Sequence, residues 1–331
     1  MPRPRAAIVG AGLMGRWHAR YVARAGVEVA AIVDPRPEAA AALRRVFRRA
    51  RTFASLEECL AAGVADVVHV CTAEGHARLA ETALRAGRHV LVEKPAATSK
   101  QDAARLVDLA REKDVRLCPV HQLPFQRGVA RVTAGLGRLG ELLRAEYVVR
   151  SAGGEGLSPD ARRALVLGIL PHPLSLFRKV LERGVAVDTW DVIGSGDDEL
   201  ELAGSDGHLR LRIDIGLRAR PTRNELLLTG ARATARMDLF HGYAYVEGGG
   251  TSRAAKATAP LRAGTRLLWA AGTNLVRRAL LREPAFPGLR ELIRRFYASI
   301  AQGTPPPIDP DELVEAAALI ERVGAAPVHR A

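Results

Sequence analysis

The sequence predicts an α/β protein. An N-terminal doubly wound parallel sheet precedes an α+β domain built on a large, open, mostly antiparallel sheet. Two observations predict it. Up to about residue 120, short apolar runs alternate with helical segments, which is how a parallel sheet covered on both faces reads. From residue 142, strand-like segments follow one another with turn residues between them, the pattern of an antiparallel sheet. The 331 residues exceed one ordinary domain, and the change in pattern divides them into domains 1–120 and 121–331.

The elements follow in order. Ala6–Val9 is an apolar strand that stops at glycine, and 13–25 is helical. Val27–Val33 is a second strand, ended by Asp34-Pro35, and the Ala- and Arg-rich Pro37–Ala50 reads as a helix. Val64–Cys71 and His89–Val92 read as strands around a helix from Gly75 to Ala86. Ser99 can cap a helix running to Lys113, ahead of a strand over Val115–Val120. In the second domain, strands are expected at Leu142–Arg150, Val185–Gly194, Glu199–Ala203, His208–Ile215, Glu225–Thr229 and Thr234–Leu239, with a turn at Gly204-Ser205-Asp206-Gly207. Helices are expected at Leu165–Arg183, Leu261–Leu281, Leu289–Gln302 and Asp311–Val323, the last capped by Asp309 ahead of Pro310.

Composition excludes several classes. With 48% hydrophobic and 26% charged residues, the chain is neither disordered nor fibrous. No apolar run approaches the ~18 residues of a membrane span, and Met1–Arg5 leads into a short strand rather than a signal peptide, so no membrane partner and a cytoplasmic location are expected. Cys59, Cys71 and Cys118 are odd in number and widely spaced, which predicts neither a disulfide framework nor a metal site. The net charge of +13 divides almost evenly at Val120, and only five of the 49 basic residues are lysines. The densest patch, Arg44, Arg45, Arg48, Arg49 and Arg51, has one interleaved aromatic and no docking motif, so it reads as a solvated face and no nucleic-acid partner is expected.

The chemistry begins at Gly10-Ala11-Gly12-Leu13-Met14-Gly15, a GxGxxG turn that follows a strand and opens a helix. Asp34 lies 19 residues after Gly15, at the end of the next strand. This combination is a dinucleotide-binding fingerprint. Gly10 permits the tight turn, Gly12 lets the backbone approach a pyrophosphate at the positive end of the helix, and Gly15 permits close packing of helix on strand. Asp34 is placed to accept ribose hydroxyls and to repel a 2′-phosphate, favouring NAD; Arg36 partly offsets that repulsion and leaves NADP as the alternative. A further strand, His89–Val92, ends at Glu93-Lys94-Pro95. A lysine at a strand's carboxyl end stands where such sheets bind ligands. By itself, Lys94 reads first as a surface lysine.

These motifs resemble the Gfo/Idh/MocA family, named for glucose–fructose oxidoreductase, inositol dehydrogenase and a rhizopine-catabolism protein. The resemblance rests on the GAGLMG turn, Asp34, the segment Val67–Ser99 with its AGRHVLVEKP core, and Gly288–Pro307. It implies a Rossmann domain that binds NAD through Gly10, Gly12, Leu13, Met14, Gly15, Asp34, Arg36, Thr72, His76, Glu93 and Lys94. It also implies Lys94 as the acid/base and a homo-oligomer, dimer or tetramer, formed through the C-terminal sheet. Thr72-Ala73 stands where relatives usually have Thr-Pro or Asn-Pro. The segment after Val120 resembles one that meets cofactor and substrate, which makes His121 a pocket residue or a structural histidine. Gly168-Ile169-Leu170-Pro171-His172 resembles a helix-borne Asp-x-Gly-x-His motif, which makes His172 a second catalytic and substrate-binding residue. The carboxylate four residues before that histidine is replaced by Gly168, and Asp160 belongs to another part of the segment.

The implied activity is hydride transfer between NAD(P) and a carbonyl or secondary alcohol of a sugar, nucleotide-sugar or polyol. The missing carboxylate keeps two alternatives open. One is an NAD-dependent lyase or glycosidase-like enzyme without net redox change; the other is a non-catalytic NAD-binding regulator.

Overall fold

A computed structural model describes residues 4–283 and 285–327. Residues 1–3, part of the N-terminal segment read for a leader, lie outside the described residues. The chain forms two compact units. Of the described residues, one takes those through His121 together with Leu289–Glu321; the other takes those of Gln122–Gly288 and 322–327. Packing thus returns a late segment to the first unit, which a division into consecutive halves does not anticipate.

The first unit holds a six-stranded parallel sheet of β1 (Arg5–Val9), β2 (Glu28–Val33), β3 (Arg51–Phe53), β4 (Val67–Val70), β5 (His89–Val92) and β6 (Leu117–Pro119), in the order β3-β2-β1-β4-β5-β6. The central strands are buried along almost their whole length, as helices on both faces require. These helices are α1 (Leu13–Arg24), α2 (Pro37–Arg44), α3 (Leu56–Ala61), α4 (His76–Arg85) and α5 (Lys100–Glu112). Ser99 caps α5, its hydroxyl accepting from Asp102 N–H. The helix expected through Ala50 stops at Arg44, and the short edge strand β3 follows. Pairing is level at the strand ends: Val33, Val9, Val70, Val92 and Pro119 form one row across the sheet. The residue after each therefore emerges along a single edge.

The second unit begins with α6 (Arg127–Thr133) and holds β7 (Leu142–Arg150), followed by α7 (Pro159–Leu167) and α8 (Pro171–Leu181). Then come β8 (Trp190–Ser195), β9 (Glu199–Asp206), β10 (Leu209–Gly216), β11 (Arg223–Gly230), β12 (Ala233–Asp238) and β13 (Tyr243–Gly248). These seven strands make one sheet, ordered β13-β12-β11-β7-β10-β9-β8. Only β7 and β10 run parallel; every other pair is antiparallel. Alternation marks a buried face, with Ala145, Tyr147 and Val149 inward along β7. Ion pairs such as Arg150–Asp214, Arg212–Glu201 and Arg236–Glu247 cover the other face.

Three expectations shift. The single helix over Leu165–Arg183 is two: Gly168 ends α7, and Pro171, which lacks an N–H to give, starts α8. Pro159–Leu181 together has the length and mean hydropathy, 1.3, of a membrane span, but 67% of its most apolar stretch is buried inside the protein, as in a core helix. The β9–β10 turn narrows to Gly207-His208, where Gly207 has φ +61°. After α9 (Arg253–Ala257), the 23-residue α10 (Ala259–Leu281) lies along β13. In the first unit, α11 (Leu289–Gln302) packs on α1; α12 (Asp311–Gly324), which begins in that unit, follows Asp309, whose carboxylate accepts from Asp311 N–H.

Candidate active site

The level strand ends bring Gly10, Asp34, Cys71 and Glu93 to one edge of the parallel sheet. Gly10 has φ +94°, and a Cβ there would lie 2.8 Å from the Cys71 carbonyl oxygen. Only glycine fits both constraints. Gly15 is tighter still: its added Cβ would sit 1.8 Å from the Gly10 carbonyl oxygen. Gly12, by contrast, faces open space with no atom within 4 Å of an added Cβ. It is the N-cap of α1, with no side-chain cap and no acidic residue in the first turn. Leu13 is exposed and Met14 half-buried beside it. The first N–H groups of α1 thus border an open, glycine-lined cradle suited to an anion.

Asp34 is buried at the end of β2. Its Oδ2 accepts from Ala11 N–H at 2.8 Å, which ties the carboxylate to the glycine turn. Arg36 closes over the other side, its Nε 3.1 Å from Oδ1 and its Nη2 3.2 Å from Oδ2, while its backbone N–H also donates to Oδ1. Burial alone would raise the Asp34 carboxyl; the bonds from Arg36 and Ala11 outweigh burial and hold it below its ordinary value. Arg36 is itself largely exposed, so the fork can open toward solvent.

Lys94 follows β5 and is partly buried. Burial lowers its pKa, and the neighbouring Glu93 carboxylate opposes that shift. The Glu93 Oε2 accepts from Lys94 N–H at 3.3 Å. His76, the first residue of α4, places Nδ1 2.8 Å from the Pro95 carbonyl and Nε2 2.8 Å from the Thr72 carbonyl. It clips the turn after β4 to the turn after β5. The Thr72 hydroxyl donates to the Glu74 carbonyl at 2.7 Å.

Residues 4–121, which carry this edge, match the family model described as the Gfo/Idh/MocA oxidoreductase family, NAD-binding Rossmann fold. Over that stretch, about a third of the chain, the sequence is similar to the Gfo/Idh/MocA family. Inositol 2-dehydrogenase 2 of Saccharopolyspora erythraea is 32% identical over 192 residues, 55% of this chain and 55% of that protein. UDP-N-acetylglucosamine 3-dehydrogenase of Acidithiobacillus ferrooxidans is 33% identical over 118 residues, covering 35% of this chain and 36% of the relative. The chain therefore spans about half the length, or less, of these curated relatives. Among solved structures, the WlbA dehydrogenase from Bordetella pertussis, in complex with NADH and UDP-GlcNAcA, matches with a TM-score of 0.75 at 20% identity over 99% of both chains. That likeness extends the shared fold to the antiparallel unit.

The first unit also contains a buried polar chain that sequence reasoning missed. Glu93 Oε1 lies 3.0 Å from His18 Nε2, His18 Nδ1 lies 2.9 Å from His69 Nδ1, and His69 Nε2 lies 2.7 Å from the Tyr297 hydroxyl. All four side chains are buried. Burial, then the nearby His18, pushes His69 well below its ordinary value; burial holds the Tyr297 phenol well above its own. With Glu93 as the terminal acceptor, one proton order satisfies every atom. Tyr297 donates to His69, His69 Nδ1–H donates to His18, and His18 Nε2–H donates to Glu93. The available signal was a histidine three residues after Gly15 on the inner face of α1; its partners lie 51 to 279 positions along the chain from it.

His121 lies two residues beyond β6 and is buried, its Nδ1 3.5 Å from Glu312 Oε2 of α12. His172 belongs to the other unit. It is the second residue of α8, buried, with its N–H bonded to the Ile169 carbonyl and its carbonyl accepting from the Ser175 hydroxyl. Gly168 and His172 therefore flank a helix break instead of sharing one helix. Asp160 sits in the first turn of α7, about 12 Å of helix rise from Gly168, so it does not replace the missing carboxylate. The three cysteines are buried and unbridged. Among the described residues, no three acidic, histidine or cysteine side chains are placed to hold a metal.

Proposed function

We propose that this protein is an NAD-dependent oxidoreductase acting on a CH–OH group, or the matching carbonyl, of a sugar, nucleotide-sugar or polyol. The observation that carries the proposal is Lys94. A lysine with a lowered pKa stands on the strand-end edge of a Gfo/Idh/MocA NAD-binding unit, beside a cradle that fits a dinucleotide. The activities named for the relatives supply the substrate class.

Bound NAD supplies the hydride acceptor, and its reduced form the donor. The chain's residues do the rest. The α1 N-terminus at Gly12, Leu13 and Met14 holds the pyrophosphate. Asp34 takes the ribose hydroxyls once Arg36 swings away, and its charge selects against a 2′-phosphate. Lys94 removes the hydroxyl proton during oxidation and returns it during reduction, when its ammonium also stabilises charge developing on the substrate oxygen. Burial makes the neutral, proton-accepting form accessible, while Glu93 keeps the ammonium within reach. Thr72, His76 and His121 shape the pocket, and His172 assists at the substrate hydroxyl. A cytoplasmic, homo-oligomeric enzyme assembled through the solvent face of the seven-stranded sheet completes the reading.

The test is NAD reduction across a panel of sugars, polyols and nucleotide-sugars, with Lys94→Ala beside the wild type. Turnover that Lys94→Ala loses supports the reading. NAD binding with no turnover on any member of the panel contradicts it.

A further inference from the structure

Helix α10 presents a second, separate surface. Of its 23 residues only Ala270 is fully buried. Leu261, Leu268, Trp269, Leu275, Val276 and Leu280 are 60–78% exposed. At 100° per residue these six fall within an arc about 140° wide, one continuous face. The opposite side is fastened to the β13 hairpin. Arg266 Nη1 donates to the Val246 carbonyl, and Asn274 Nδ2 and Arg278 Nη1 both donate to the His241 carbonyl. The apolar face is therefore held outward. Six large apolar residues, each at least 60% exposed, make a patch of several hundred Å², at or above the ~300–600 Å² of an ordinary monomer and of the order of the ~800 Å² per partner of a stable interface.

We propose that α10 pairs with α10 of a second copy of this chain, antiparallel, about a two-fold axis. The pattern on the face points to that occupant. Leu261, Leu268 and Leu275 recur every seven residues, and four residues after each comes a smaller one, Thr265, Gly272 and Ala279. This four-three alternation of large and small residues is a knobs-into-holes seam. Gly272 leaves its hole open, with nothing within 4 Å of an added Cβ.

In one antiparallel register each of these three leucines meets a smaller residue: Leu268 the partner's Gly272, Leu261 the partner's Ala279, and Leu275 the partner's Thr265. A parallel pair would instead set leucine against leucine and leave voids between the small residues. The helix carries four arginines and no acidic residue. In the antiparallel register Arg262 faces the partner's Val276 and Arg278 the partner's Gly264, so no guanidinium opposes another across the seam. Trp269 meets the partner's Trp269 at the axis. An isologous contact of this kind closes as a dimer. It uses no residue of the NAD-binding unit and is separate from the ion-paired sheet face, so it stands or falls apart from the proposed activity.

The test is the mass of the full chain by sedimentation velocity, for wild type, Leu268→Arg and Gly272→Leu. In a single copy Leu268 is largely exposed and an added Cβ at Gly272 meets nothing within 4 Å, and unchanged far-UV circular dichroism checks that the fold is kept. Each substitution is expected to halve the mass. Trp269→Cys under mild oxidation is expected to give one disulfide-linked dimer, because the native cysteines are buried. Leu227→Arg, on the sheet face, leaves that cross-link intact. A monomeric wild type, or a mass unchanged in both α10 variants, overturns the proposal. So does binding of the monomeric chain to phosphatidylserine vesicles that Leu268→Arg abolishes, which would make the basic, apolar helix a membrane-surface element.

Discussion

Gly12 and Gly15 lie three residues apart in one turn, yet their substitutions are expected to fail in different ways. A Cβ at Gly15 would lie 1.8 Å from the Gly10 carbonyl oxygen and 3.3 Å from Ile8 Cγ2. The first neighbour is backbone, which cannot rotate aside, so Gly15→Ala must move α1 or the turn. That is overpacking at the upper end of its range, about 3 kcal/mol, only partly offset by the ~0.4–1 kcal/mol that alanine gains by restricting the unfolded chain. At roughly 2–4 °C per kcal/mol, the melting temperature falls by about 4–10 °C. Gly12 has open space around its Cβ direction and an extended ψ, −160°, that other residues adopt. Gly12→Val therefore changes stability by no more than about 1 kcal/mol. It places a side chain where the pyrophosphate must approach, so NAD affinity falls at least about 100-fold, some 2.8 kcal/mol. Thermal melts and calorimetric NAD titrations of both variants separate the effects. Gly12→Val binding NAD within about threefold of wild type, or Gly15→Ala melting unchanged, refutes the reasoning.

Three further outcomes follow from the same geometry. Asp34→Ser removes the charge facing a 2′-phosphate and releases Arg36 to pair with it, so the ratio of NADP to NAD affinity rises about tenfold or more; an unchanged ratio on calorimetry counts against that role. Oxidation needs neutral Lys94, so kcat/KM rises with pH through the lysine pKa, which burial sets below that of a free lysine. Glu93→Gln removes the carboxylate that favours the ammonium and moves this limb to lower pH; a move upward contradicts the assignment. Tyr297→Phe deletes the only hydroxyl donor to His69 Nε2 in the proton order above, lowering stability by about 1–3 kcal/mol with NAD affinity unchanged; an unaltered melting temperature rejects that order.

What the sequence revealed depended on how local the signal was. The strands β5 and β7 and the helix α11 have the expected bounds, because each pairs a clear apolar period with a strong boundary residue. The edge strand β3, Arg51-Thr52-Phe53, is too short and too polar to show a period. The break before α8 was hidden because the apolar spacing continues through Gly168–Leu170, while Pro171, the residue that starts the new helix, was read as part of a longer one. The glycine turn and Asp34 were legible since their contacts lie within one strand–turn–helix unit. The His18–His69–Tyr297 chain was not, because it joins α1, β4 and α11, and no local period records which buried polar groups meet. The outward face of α10 was likewise hidden: its apolar period says helix, and only the packing shows which side is left uncovered.

The central claim is that Lys94 exchanges the substrate proton in an NAD-dependent oxidation. The most direct measurement is NADH formation by wild type and Lys94→Ala on the best substrate of the panel, with NAD affinity measured for both. The account predicts turnover lowered by roughly 10²–10⁴ in Lys94→Ala, the usual worth of a positioned acid/base group, with NAD affinity nearly unchanged. Full turnover by Lys94→Ala would contradict it.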